Sequence, residues 1–447
     1  MNKKTLNNVI SISIPSMGEI ILYNIISMFD IMFVGRHSGK IAISATGLSN
    51  EILLTFSSIF ISLGICVAIT SLIARNVGAY KLSCAEEYAS MGFFIGVIIS
   101  FFLAIIFFIY CNNILFFAGA RGEVLTLGTK FMKVCSIGVF FSMLSSLLCS
   151  IRRGYGDTST PFLIAAITIF VNLILDILLI FGFAGFPIMG VMGAAFAKTV
   201  AQITGFIFIF VYSITNSKIK IKLRYLFIFN MSRLKELIRF SLPCSFEEAA
   251  FSISRLVSNL IIMNVSSTAY AANQIANTVE SISLMPGIGL GVAATTLVGL
   301  KVGENNSTEA KDYAKICIYI GVGIMLFCSL FFLLIPNYLI SFFIKNSEIE
   351  VISLSSSCLR IGALEQPFLA ISIIAAGAMK GAGNAKTPLY ITIISSWLIR
   401  LPLMFYFIYI LSSSVTYVWW ITTFQWGFDA ILTCALLRRN YKNASLL

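Results

Sequence analysis

The chain has 447 residues, of which 58% are hydrophobic and 11% charged, with a mean hydropathy of +0.94. Soluble domains carry about 25% charged residues, so this composition excludes one. The net charge of +12 is not the patch of a nucleic-acid binder, because the basic residues are spread over short segments between long apolar runs.

Twelve such runs follow one another, near 9 to 34, 44 to 74, 88 to 110, 130 to 150, 161 to 183, 189 to 215, 238 to 264, 271 to 299, 313 to 335, 353 to 378, 388 to 411 and 415 to 437. Each has the roughly 20 residues that a helix rising 1.5 Å per residue needs to cross a hydrocarbon core. The fold class expected is therefore an all-α integral membrane protein of twelve spans. The first run lacks a small-residue cleavage site and reads as a retained span, not a removable signal. Sorting the loops by alternating side puts 21 lysines and arginines on one face and six on the other. That bias places both termini in the cytoplasm. The ten cysteines lack metal-ligand spacing and lie mostly inside apolar runs, as small hydrophobes do.

The chain repeats itself. IPSMGE (14 to 19) matches LPCSFE (242 to 247) at an offset of 228, the stretch from Leu63 matches the one that contains Gly289, Gly303 and Tyr313 at 225, and RGYGDTSTP (153 to 161) matches KGAGNAKTP (380 to 388) at 227. Two six-span lobes, 1–216 and 238–447, are thus joined by a basic cytoplasmic linker, 217–237. An even number of spans per lobe makes them parallel repeats, related by a pseudo-two-fold axis along the membrane normal. Two such lobes with a cavity between them suit a transporter that rocks, although channels also use repeats.

Polar residues interrupt several runs. Asn172 and Asp176 are the polar pair of VNLILD in the fifth, four residues apart and so on one helix face. A mid-membrane carboxylate costs at least about 2.5 kcal/mol on insertion scales, which points to function, the alternative being packing between helices. Glu19, Glu247 and Glu248 either line a central cavity that attracts cationic compounds or pair with intramembrane arginines such as Arg255. Gln274 and Glu280 in the eighth run, with Asn273, face the same choice between substrate contact and interhelical bonding, and Arg400 is placed to neutralise Glu280 or Glu365. His37 reads as a solvated loop residue. No phosphate-binding loop or sizeable soluble domain argues for ATP, and no nucleophile, base and metal pattern argues for an enzyme.

The segments MFDIMFVGR, GYGDTSTP, GAGNAKTP, NLILD, GAAFAK and AANQIANTVESISLMPGIGLG resemble those of the multidrug and toxic compound extrusion (MATE) transporters, over both halves of the chain. The resemblance implies export of amphipathic, often cationic drugs or toxic metabolites from a cell membrane in exchange for H⁺ or Na⁺, without cofactor, enzyme activity or nucleic-acid partner, by a monomer in the lipid bilayer. It places the coupling cation between Asp30, Asn172 and Asp176. The second lobe has Ser258, Ile399 and Leu403 at the equivalent positions, so this acidic site belongs to one half. Where many members have a threonine that helps hold the ion, this chain has Lys198. That favours proton coupling or a lysine that joins the charge exchange, unless Lys198 reaches for the interface or Thr199 takes the position instead. Leu369, where one branch has an acidic residue, points toward the DinF-like branch. A flippase of lipid-linked oligosaccharides from the same superfamily is the alternative, though that cargo calls for a cationic cavity.

Overall fold

The computed structural model describes residues 3–222, 224–227, 230–263, 265–343, 349–411 and 414–444, and every regular element among them is helical. The first helical stretch, Lys3–Ser57, is interrupted at Gly39, whose φ of 76° suits a residue without a Cβ. The arm before Gly39 is α1. The arm after it is α2, which continues through a π-helical turn, Ser58–Ile65, to Gly78. Then come α3 (Leu82–Phe117), α4 (Gly122–Gly154), α5 (Ser159–Phe181), α6 (Val191–Asn216), α7 (Met231–Met263) and α8 (Ser267–Gly303). The last four are α9 (Ser307–Leu334), α10 (Ile349–Gly381), α11 (Lys386–Ile410) and α12 (Thr416–Ala444).

All twelve expected helices form. Ten are long and apolar enough to cross a membrane by length and composition. The other two, α7 and α12, fall short because acids, bases and amides such as Glu247, Glu248, Arg255, Gln425 and Asp429 are set into them.

The repeated loops show how sequence sets local structure. After α4, Gly156 takes a φ of 90°, and the Asp157 carboxylate accepts from the Thr160 backbone N–H at 3.0 Å, capping α5 just before Pro161. After α10, Gly383 has a φ of 96° and Asn384 Oδ1 accepts from the Thr387 N–H at 3.1 Å, capping α11 before Pro388. Glycine, a capping oxygen and proline in that order stop one helix and start the next. In the first copy Arg152, 2% exposed, also donates to Asp157 (2.8 Å) and to the carbonyl of Tyr212 (3.0 Å).

The chain forms two compact units. One is Gly18–Ser245; the other is Met1–Met17 with Phe246–Leu447. In the first, Tyr88 on α3 donates its hydroxyl to Glu236 at the start of α7 (2.5 Å). In the second, Asn8 at the start of α1 donates to the hydroxyl of Tyr313 on α9 (2.9 Å). Tyr88 and Tyr313 are repeat equivalents, as are Asn8 and Glu236, so the same latch is built twice from different chemistry.

Small residues let helices approach, as membrane packing requires. A Cβ on Gly377 of α10 would stand 2.3 Å from the carbonyl oxygen of Gly291 on α8. Gly377→Ala is expected to cost about 1–3 kcal/mol through overpacking, lowering the unfolding temperature in detergent, whereas Gly427→Ala, with nothing within 4 Å of the added carbon, leaves it unchanged.

Candidate functional site

Asp30, Asn172, Asp176 and Lys198 come together in the unit Gly18–Ser245. Asn172, 1% exposed, uses one amide nitrogen for two carboxylates: Nδ2 donates to Asp30 Oδ1 at 2.9 Å and to Asp176 Oδ2 at 2.5 Å. Helical spacing puts Asn172 and Asp176 on one face of α5, and α1 supplies Asp30 against it. Phe33 on α1 meets Phe181 on α5 edge to face at 5.8 Å, one turn further along. Lys198 on α6 turns inward, its Nζ 2.9 Å from Asn50 Oδ1 on α2 and 3.5 Å from Asp30 Oδ2. Thr199 does not take that place; it donates to the carbonyl of Val134 on α4 at 3.1 Å. Glycine makes the α4 to α6 approach feasible, since a Cβ on Gly138 would lie 2.9 Å from the Thr199 Cα.

Two carboxylates and one ammonium sum to one formal negative charge. Asp176 is fully buried and its Oδ1 has no hydrogen-bond partner. An orphaned carboxylate oxygen at that depth is costly as an anion, and a single monovalent cation or proton would balance the cluster. Asn50 was not singled out from the sequence; its signal was a polar residue in the second apolar run, facing nothing identifiable until α6 was placed.

A family model described as MatE matches residues 15–178 and, again, residues 243–406. The chain belongs to the MatE family. The two matches begin 228 residues apart, the offset read from Pro15 and Pro243, and the first contains Asp30, Asn172 and Asp176. A probable multidrug resistance protein NorM of Thermotoga maritima is 31% identical over 89% of this chain and 84% of its own length. The uncharacterized transporter YisQ of Bacillus subtilis is 25% identical over 89% and 86%. A crystal structure of MATE in complex with MaL6 has the same fold, with a TM-score of 0.92 at 21% identity, covering 99% of this chain and 98% of that one. An outward-facing multidrug resistance MATE family transporter of the MOP superfamily also superposes with a TM-score of 0.92, at 21% identity over 98% and 96%. This MatE chain is a multi-pass membrane protein of a transporter family.

Glu19 and Glu247 follow the pairing alternative, with bases other than Arg255. Glu19, 7% exposed, takes both oxygens to Arg153 at the end of α4 (2.9 and 3.1 Å). Glu247 pairs with Lys380 at the end of α10 (2.9 Å), not with Arg255 two turns along its own helix. Arg153 and Lys380 are repeat equivalents, so the pair exists once per unit and ties the span after the proline to the fourth span. Glu248 accepts from Ser252 (3.3 Å), and Gln274 is exposed on α8.

The second unit has acids in its spans as well, at the positions against which the sequence set Arg400. In the second unit Gln366 of α10 donates to Glu280 of α8 (2.9 Å), and Glu365, 1% exposed, accepts from Thr423 of α12 (3.4 Å). Glu365 and Glu280 lie close to each other, and Arg400 of α11 is near both. Arg400 with Glu280 or Glu365 was legible in the sequence, whereas Gln366 and Thr423 were not singled out. The side chain of His37 lies outside the described residues, and among those described no cysteine is bridged.

Breaking the Glu19 and Arg153 pair tests whether it is structural. Glu19→Gln, which strands a buried guanidinium, is expected to destabilise by about 3–5 kcal/mol, and Glu19→Leu with Arg153→Met to recover most of that loss. Thermal unfolding of the purified variants reads both.

Proposed function

We propose that this protein is a secondary antiporter that exports amphipathic, often cationic compounds across the cell membrane by alternating access, with both termini cytoplasmic, and that protons drive it. The observation that carries the reading is Asn172 joining Asp30 to Asp176 beside Lys198. The ammonium, 3.5 Å from Asp30, stands where a metal ion would otherwise balance that carboxylate. One negative charge is left, on the side of Asp176, and a proton there neutralises the cluster. Loss of that proton leaves a buried anion that favours a state in which Asp176 meets water. Occupancy and conformation are then linked. The names of the NorM relatives carry multidrug resistance, and export of drugs is the activity by which a membrane transporter would confer it.

Ethidium efflux from everted vesicles, driven in turn by imposed proton and sodium gradients, tests this. Wild type is expected to respond to the proton gradient and not to sodium, and Asp176→Asn to neither. Lys198→Thr removes the resident ammonium, and sodium is expected to drive transport in that variant. Normal pumping by Asp176→Asn would make the cluster structural, and sodium-driven efflux by wild type would remove the case for the proton.

A further inference from the structure

The linker between α6 and α7 is anchored on α3. Lys220 donates its backbone N–H to the Glu86 carboxylate (3.4 Å), and Lys222 donates its own to the Ser90 hydroxyl (3.0 Å). The Lys222 ammonium also pairs with Glu86, and the Arg233 guanidinium at the start of α7 pairs with Glu87. Ile219 turns in and is 1% exposed, while its neighbours Lys218 and Lys220 are exposed. The segment is thus fixed with its cations outward.

Residues 217–239 contain seven bases and one acid, Glu236. That acid is engaged with Tyr88 at 2.5 Å and Arg75 at 4.0 Å, and Glu86 and Glu87 neutralise only Lys222 and Arg233. Lys218, Lys220, Arg224, Lys235 and Arg239 are exposed, and none forms an ion pair among the described residues. Arg152 and Arg153, at the same end of this unit, are each bound to a carboxylate. A topological bias asks for bases at this end of the spans; it does not ask that five be left unpaired around one anchored segment. On α7, Lys235 and Arg239 share a side of the helix with Ile238 and Leu242, which are 43% and 49% exposed. Cations toward the helix start and bare apolar side chains deeper along it match the order of phosphate and acyl chain in a leaflet.

We propose that the linker and the first turns of α7 form a binding surface for anionic phospholipid headgroups in the leaflet on the linker's side, the cytoplasmic one in the orientation proposed above. Lipid phosphates take the place of the missing carboxylates. Ammonium and guanidinium groups donate charge-assisted hydrogen bonds to phosphate oxygens, and about four to eight bases beside a spanning helix make a surface of the right size. The exposed Ile238 and Leu242 favour a lipid, whose acyl chains cover them, over a free phosphate, which has none. The surface lies within the unit Gly18–Ser245 and uses no residue of the cluster at Asp176.

Native mass spectrometry of the full-length protein in neutral detergent, titrated with phosphatidylglycerol or phosphatidylcholine, decides the point. Preferential retention of phosphatidylglycerol is expected, weakening as ionic strength rises. Each cation near a headgroup is worth about fivefold in affinity, so Lys235→Gln with Arg239→Gln is expected to weaken phosphatidylglycerol about 25-fold. Adding Lys218→Gln, Lys220→Gln and Arg224→Gln removes the preference. Lys130→Gln with Lys133→Gln, two exposed bases near the opposite end of α4 from Arg153, leaves it unchanged. Equal retention of the two lipids, an equal loss in the Lys130 and Lys133 control, or full affinity in the five-residue variant overturns the surface. Displacement of the lipid by inorganic phosphate at equal concentration does so too, since the site would then take a free anion. Should the five-residue variant fail to stay monodisperse, unchanged affinity in the Lys235 and Arg239 variant overturns it.

Discussion

Charge removed from water is the constraint around which this protein is built. A carboxylate in a hydrocarbon core costs several kilocalories unless something nearby compensates it, and each buried acid here is compensated in its own way. Glu19 and Glu247 each hold a base at the far end of another helix. Asp30 takes an ammonium and an amide, while Asp176 takes the same amide and leaves an oxygen bare. Glu280 and Glu365 share an amide, a hydroxyl and a neighbouring guanidinium. Asp429 has hydroxyls alone. These differences separate acids held by a base on another helix from acids held in part or wholly by amides and hydroxyls.

The repeat sharpens that separation. The ion pair behind the first span's proline is present in both units, with arginine in one and lysine in the other, and so are the tyrosine latch and the capped corner between fourth and fifth spans. What recurs is the part that holds helices in place. What differs is the set of further carboxylates in the spans: Asp30 and Asp176 on α1 and α5 in one unit, Glu280 and Glu365 on α8 and α10, with Asp429 on α12, in the other. A duplicated scaffold can keep its joints and still diverge in its sites, because joints constrain geometry and the sites constrain only local charge.

Lys198 gives the site at Asp176 its particular character. An ammonium on a four-carbon stem is a compact point charge with three donors. Held between Asn50 and Asp30, it sets a positive charge beside one of the two acids and leaves the other with the Asn172 amide. Gly138 is part of this arrangement, since a side chain there would push α6 away from α4 and move Lys198 out of reach.

The sequence by itself determined the class of protein, the twelve helices, the repeat and its offset, and the convergence of Asn172 with Asp176, because hydropathy, helical spacing and self-similarity are local or periodic properties. Its resemblance to a family supplied Asp30. Only the tertiary structure decided that Lys198 turns inward where Thr199 does not, that Asn50 receives it, that Glu19 and Glu247 pair with Arg153 and Lys380, and that Glu365 and Asp429 are buried acids of the second unit. Each of these rests on which faces of non-adjacent helices meet, and a rotation of one residue, about 100° on a helix, changes the answer while leaving the hydropathy pattern untouched.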